Sequence, residues 1–323
     1  MGEQNLSLER ASLLADVAEM YYLEDKGQAE IARKIGVTRS MISRMLKEAR
    51  EKGIVEIRVQ RSVRTEYDLE NTLINQFHLQ GAMVISLPRV SAQQSLEHLG
   101  SAGALALKRH LKAGTTLGIS WGTSVSAVVD SLQVEGALPI KIVQLVGALG
   151  ARNTEYDGHA LVARLAEKLN GEAHYLNAPF LCPNPKTASI LVKTKGIKET
   201  IDLGRRADIA LLGIGSINPK FSSYYLAGYV PLAELKNLSQ EGAVGDVCGL
   251  HFDINGKYIC STFCKRLVTI NKDDMVSIPL RIGVAGGGGK VGSILGALRG
   301  GYINYLVTDS DTAKAVLDQA IKN

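Results

Sequence analysis

The sequence predicts an α/β protein in two parts: a small N-terminal winged helix-turn-helix, then a large, mostly parallel sheet flanked by helices and carrying an inserted β-hairpin. Three observations predict it. A basic block lies near one end of an otherwise near-neutral chain, and the apolar residues inside that block follow helix-turn-helix packing. From Gly81 onward, seven short apolar runs alternate with helical patterns. The predicted boundaries are 1–62 for the first part, 63–80 for a linker helix and 81–323 for the second.

The 323 residues, 46% hydrophobic and 21% charged, supply apolar surface for a sizeable core and exclude a disordered, collagen-like or disulfide-scaffold chain. No run approaches the length of a membrane span and residues 1–12 are polar, so a cytoplasmic protein without membrane contact is expected. Cys182, Cys248, Cys260 and Cys264 form no C-x-x-C pair, and His159, His174 and His251 are scattered. Reduced thiols, no metal site and no cofactor follow.

Charge is localised. Residues 26–64 hold eleven Lys/Arg against Glu30, Glu48, Glu51 and Glu56, a net +7 within a total of +5, so the remainder sums to −2. That is the electrostatic footprint of a nucleic-acid-binding module. Ala11, Leu14, Val17, Ala18 and Tyr21 predict a first helix, which Lys26-Gly27 ends. In the next, Ile31 and Ile35 face inward, and Ala32 is small where another helix must cross. Gly36 turns the chain, Val37 plugs the corner and Thr38 caps a helix whose inward residues are Ile42, Met45 and Leu46. Arg39, Ser40, Ser43 and Arg44 then face outward near that helix's N-terminus, where side chains reach base edges in the major groove. Gln28, Thr38, Lys47 and Arg50 join the candidate DNA-binding set. The alternation over 54–59 reads as the strand of a wing, with Arg58 and Arg61 placed to neutralise phosphates.

Over 64–79, Leu69, Leu73, Ile74 and Phe77 form one helical stripe, which either packs on the following domain or pairs with its copy in a dimer. In the second part, strands are predicted at 82–87, 116–119, 140–146, 173–176, 209–213, 281–285 and 305–308. Helices between them include 91–112. The hairpin is expected from 244–252 and 257–262 around an Asn255-Gly256 turn.

Ligands of open α/β sheets sit at the carboxyl ends of strands. The run Ser120-Trp121-Gly122-Thr123-Ser124 leaves a strand and opens a helix, a constellation suited to a phosphate or a cluster of sugar hydroxyls. The loop 286–292 leaves another strand; Gly287, Gly289 and Gly292 satisfy G-x-G-x-x-G with Asp309 beyond, but only fourteen residues follow Asp309, too few for a dinucleotide fold. A backbone pocket with Lys290 facing an anion is the more economical reading. Asp246, in Gly242-Ala-Val-Gly-Asp246, is placed to hydrogen-bond adjacent sugar hydroxyls or to form a turn. Gly147 and Gly215, at two further strand ends, complete the candidate lining. Asp157-Gly158-His159 reads as a helix cap rather than a catalytic triplet.

The order of Tyr21-Tyr22, Gln28-Ala-Glu-Ile-Ala32, Ser43-Arg-Met-Leu46, Gly53-Ile-Val55, residues 118–123, Gly213-Ile-Gly215, Gly242-Ala-Val-Gly-Asp246, Val284-Ala-Gly-Gly287 with Lys290, Gly300-Gly-Tyr-Ile-Asn304 and Val307-Thr-Asp309 resembles the SorC family of bacterial sugar-responsive transcription regulators, over nearly the full length. The resemblance implies an effector domain similar to phosphosugar isomerases of the glucosamine-6-phosphate deaminase type, with the crevice kept and the chemistry lost. It implies that Gly122, Thr123 and Ser124 hold a phosphate and that Asp246 and Lys290 contact the sugar or its phosphate. Some members carry a basic residue where this chain has Val146, a departure that opens the way to an unphosphorylated sugar or polyol.

Three functions compete. The preferred one is a regulator of a carbohydrate operon, a homodimer or homotetramer binding double-stranded operator DNA under the control of a sugar or sugar phosphate. The alternatives are a sugar-phosphate isomerase or deaminase with a fused DNA-binding module, and a nicotinamide-dependent enzyme. No acid–base pair is visible, so no enzyme is expected.

Overall fold

The computed structural model describes residues 2–55, 64–87, 90–150 and 154–322. The chain divides into two compact units, Met1–Ser62 and Val63–Asn323.

Among the described residues the first unit holds three helices, α1 (Gly2–Tyr22), α2 (Gln28–Ile35) and α3 (Arg39–Glu51). Leu14, Val17, Ile31, Ala32, Ile42, Met45, Leu46 and Ala49 make its core. Gly36 ends α2 at φ 79°, a left-handed turn that a side chain would strain. Thr38 then caps α3, its hydroxyl accepting the Met41 N–H at 3.3 Å. The Arg10 guanidinium ties α1 to α3 through Glu48 at 2.7 Å. The expected wing strand beyond Val55, with Arg58 and Arg61, lies outside the described residues.

The second unit is built on a seven-stranded parallel sheet. Its strands are β1 (Gly81–Ile85), β2 (Thr116–Ile119), β3 (Lys141–Gln144), β4 (Glu172–His174), β5 (Ile209–Gly213), β9 (Leu280–Val284) and β10 (Tyr305–Asp309). Between β5 and β9 the chain builds a small antiparallel sheet of β6 (Gly215–Ser216), β7 (Gly245–Val247) and β8 (Leu250–Phe252). The order in the large sheet is β1-β10-β9-β5-β2-β3-β4. Buried clusters cover it, one including Val84, Leu212 and Leu306 and the other Met83, Leu211 and Val307, alternate residues of the same strands. That two-sided burial explains why these strands read as continuous apolar runs.

The order contains a switch point. From β2 the chain steps to β3 on one side, whereas β5, the other neighbour of β2, is followed in the sheet by β9 on the opposite side. Loops leaving β2 and β5 therefore diverge and open a crevice beyond their carboxyl ends.

Two expectations are corrected. The hairpin turns at Cys248-Gly249, not Asn255-Gly256: Val247 pairs with Leu250, and both turn residues have positive φ, 55° and 75°. A two-residue hairpin loop needs that geometry to match the twist of its strands. Asn255-Gly256 forms a separate turn around Asp253, whose carboxylate accepts the N–H groups of Asn255 and Lys257, and beyond it Tyr258 bridges back to Phe252, with the Ile259 N–H donating to the His251 carbonyl at 2.9 Å. The helix expected over 91–112 also ends early, spanning Ala92–Lys108 behind a Ser91/Gln94 capping box.

The helix Tyr67–Phe77 packs within this unit. Leu73 is buried in the core, and Leu69, Ile74 and Phe77 lie against it. Glu70 fastens the helix to the sheet edge, its carboxylate accepting the Val84 N–H at 2.9 Å.

Candidate functional site

The switch-point crevice is lined by Ser120, Gly122, Thr123 and Ser124 after β2, by Gly213–Gly215 at the end of β5, and by Asp246 and Lys290. It is open to solvent at its mouth.

Each wall has a local cause. Gly122 adopts φ 129° and ψ 164°, a conformation essentially reserved for glycine, and so turns the chain from β2 into the helix Thr123–Ser131. No side chain caps that helix, leaving its first N–H groups and its positive dipole end toward the crevice. Behind the turn the Ser120 hydroxyl accepts the Gly213 N–H at 3.0 Å and locks the ends of β2 and β5 together. Lys290 follows β9 in a single 3₁₀ turn, and its ammonium donates to the Ile214 carbonyl. Burial lowers the Lys290 pKa, and the Asp246 carboxylate opposes that shift.

Asp246 stands on β7, buried. One oxygen accepts the Gly249 N–H at 2.9 Å, which also fixes the hairpin turn. The other, Oδ1, is buried without a hydrogen-bond partner among the described residues, as is the Tyr224 hydroxyl. Burial, and then the Asp246 charge, push the Tyr224 pKa well up, so the phenol stays protonated and able to donate. An unpaired buried carboxylate oxygen costs free energy that a ligand hydroxyl recovers. Trp121, Phe180 and Tyr224 pack edge-on and stacked at 5.5–5.7 Å between centroids, and Trp121 and Tyr224 offer an apolar wall to the crevice.

Of the eight residues expected at the ligand, seven line the crevice. Gly147 does not: its backbone is packed against Pro179, whose carbonyl carbon would stand 2.7 Å from a β-carbon there. Val146 is buried, its carbonyl accepting from the Gln144 side chain at 2.7 Å. Trp121, Ser223, Tyr224, Cys248 and Gly249 line the crevice unforeseen. Trp121 sat inside a recognised run, whereas Tyr224 arrives on a four-residue helix that carries no local signal.

Both Asp309 oxygens already accept hydrogen bonds within the protein. Oδ1 accepts the Thr312 N–H at 2.8 Å, and Oδ2 accepts the Gly287 N–H at 3.0 Å and the Thr312 hydroxyl at 2.7 Å. It pins the glycine loop and starts the last helix. Asp157 likewise holds backbone, accepting from His159, Leu149 and Gly150. The His159 ring stacks on Tyr175 and contacts Asn177. Among the described residues no group of three or more His, Cys, Asp or Glu is arranged to hold a metal. None of their helices is long and apolar enough to cross a membrane.

On the first unit, Thr38, Arg39, Ser40, Ser43, Arg44, Lys47 and Arg50 are exposed along α3, and Gln28 is half-buried at the start of α2. Lys47 pairs loosely with Glu51 at 3.6 Å. Arg39 and Arg44 have no acidic partner among the described residues, so their charge is available to phosphate or base.

Residues 61–318 match the family described as "Putative sugar-binding domain". The sorbitol operon regulator of Klebsiella pneumoniae is 33% identical over 307 residues, covering 94% of this chain and 97% of its own. The deoxyribonucleoside regulator of Bacillus subtilis (strain 168) is 30% identical over 310 residues, covering 96% and 98%. The crystal structure of the full-length Klebsiella sorbitol operon regulator SorC superposes with a TM-score of 0.71 at 31% identity, over 96% of this chain and 99% of that one.

Proposed function

The chain belongs to the SorC family of sugar-responsive transcription regulators, and from that premise we propose that a sugar phosphate in the switch-point crevice controls how α3 engages operator DNA. The observation that carries the reading is the glycine-opened, side-chain-uncapped start of the helix Thr123–Ser131, in one crevice with Lys290 and Asp246. Gly122, Thr123 and Ser124 present N–H and hydroxyl donors to a phosphate, and Lys290 adds a point charge. Asp246 Oδ1 and the Tyr224 hydroxyl offer an acceptor and a donor to sugar hydroxyls.

On the DNA side, Arg39, Ser40, Ser43 and Arg44 read bases, while Gln28, Thr38, Lys47 and Arg50 hold phosphates. A homodimer or homotetramer supplies the second α3 that a two-fold operator requires. The protein acts in the cytoplasm, where its operator lies, and Asp246 and Lys290 bind without turning over their ligand. The effector works by differential affinity for two arrangements of the assembly.

A thermal-shift screen of the purified protein against sugars, polyols and their phosphates tests the effector reading. A ligand specific for the native state at 100 times its dissociation constant stabilises by about 2.7 kcal/mol. The expected result is a shift with a phosphorylated sugar that is lost in Thr123→Ala and Lys290→Ala. A shift with unphosphorylated compounds alone replaces the phosphate with a hydroxyl at the helix start. Turnover of the sugar phosphate at ordinary enzyme rates contradicts the binding role.

A further inference from the structure

Cys264 lies in a setting that the effector reading does not use. It opens a 3₁₀ turn, Cys264–Arg266, that follows the hairpin. Its sulfur is met by two side chains: the Ser261 hydroxyl donates to Sγ at 3.2 Å, and Nδ1 of His251 lies 3.4 Å away. The Ile259 carbonyl is at 3.3 Å and accepts the S–H when the thiol is protonated. His251 is fully buried on β8, opposite Asp246 on β7.

The pairing is chemically directional. The Ser261 hydroxyl, and His251 when its Nδ1 carries the proton, donate to the sulfur and stabilise a thiolate over a thiol; burial disfavours the protonated imidazole that such a thiolate needs, but the Cys264 contact and then the Asp246 carboxylate across the strand pair outweigh it. Burial alone would push the Cys264 thiol up, yet the His251 and Ser261 contacts outweigh it and bring it below its ordinary value. The contrast with the other cysteines is sharp. Cys182 and Cys248 are buried, and burial raises both. Cys260 is exposed. Cys264 alone combines partial exposure with an imidazole partner among the described residues.

We propose that Cys264, activated by His251 and Ser261, is a reactive thiolate site that takes small electrophilic oxidants of the peroxide class. The thiolate attacks one peroxide oxygen, forming an S–O bond as the O–O bond breaks. Sulfur is oxidised to the sulfenic acid, the peroxide is reduced, and the departing hydroxide takes the imidazolium proton of His251 to leave as water.

The test is residue-resolved mass spectrometry of the full chain, intact and reduced. Iodoacetamide reports alkylation rates, and hydrogen peroxide followed by dimedone traps the sulfenic acid. Cys264 is expected to be alkylated about tenfold faster than Cys260 at pH 7 despite its lower exposure. It is also expected to be the position that carries the dimedone adduct. His251→Gln slows Cys264 and leaves Cys260 unchanged as an internal control. Where His251→Gln fails to fold, Ser261→Ala slows Cys264 in the same direction with a smaller change in packing. The proposal is overturned if Cys260 is the faster thiol, or if both variants leave the Cys264 rate unchanged.

Discussion

A β-carbon on Gly215 would stand 1.9 Å from Oδ1 of Asp246. The two residues face each other across β6 and β7, so one strand's lack of a side chain sets where the neighbouring strand's carboxylate lies. The carboxylate cannot swing aside cheaply, because its second oxygen holds the hairpin turn at Gly249.

Gly215→Ala is therefore expected to displace Asp246, destabilising the protein by about 1–3 kcal/mol and abolishing the effector-induced thermal shift. Thermal melts with and without effector check this. An undiminished shift in the variant contradicts the placement of Asp246 at the ligand.

Lys290 makes an opposite trade. Burial depresses its folded pKa below the ordinary 10.5, so the folded state carries the cost of a desolvated charge at neutral pH. That cost is relieved as pH rises from the folded pKa through 10.5. Lys290→Met is expected to melt no lower than wild type at pH 7, while effector affinity falls about tenfold or more. Calorimetric titration and melting of the same preparation separate the two effects.

Arg44 and Lys47 differ in kind. Arg44→Ala is expected to cost about 1–3 kcal/mol on the operator and to relax base preference. Lys47→Ala is expected to weaken all DNA alike and reduce the salt slope by about 1. Fluorescence anisotropy across a salt series distinguishes them, and effector binding is unchanged in both.

Glu48 supplies a pH signature for the first unit. The Arg10 hydrogen bond, and then that of Lys52, lower its pKa from 4.5 to about 2. A depressed carboxylate stabilises fully above its unfolded pKa and loses that contribution as pH falls from about 4.5 toward 2. Both partners are solvated, so the effect is small and salt-sensitive. Glu48→Gln is expected to melt slightly below wild type at pH 6, the gap closing by about pH 2. Circular dichroism melts along the pH series check it.

The sheet was legible because its strands are buried on both faces. The runs Leu117–Ile119 and Ile209–Leu212 are apolar or glycine throughout and buried. Strand ends were less so, since Tyr305–Asp309 ends in a polar residue that belongs to the strand's hydrogen bonding and to the next helix alike. The hairpin turn was misplaced because Asn-Gly is the stronger local signal, while Cys248 adopts left-handed backbone only with Asp246 bracing Gly249 beside it. Tyr224 was invisible for another reason: its role comes from tertiary contact with Asp246, Trp121 and Phe180, which no spacing in the chain encodes. Gly147 shows the converse, a strand-end glycine used for packing against Pro179 rather than for ligand approach.

We propose that occupancy of the crevice governs DNA binding. The most direct test measures affinity for DNA from upstream of the chain's own gene, with and without each sugar phosphate that shifts melting, in wild type and Asp246→Asn. One such compound is expected to change wild-type affinity about 5–150-fold and to leave the variant's affinity unchanged. DNA affinity indifferent to every compound that binds, or an equal response in the variant, contradicts it.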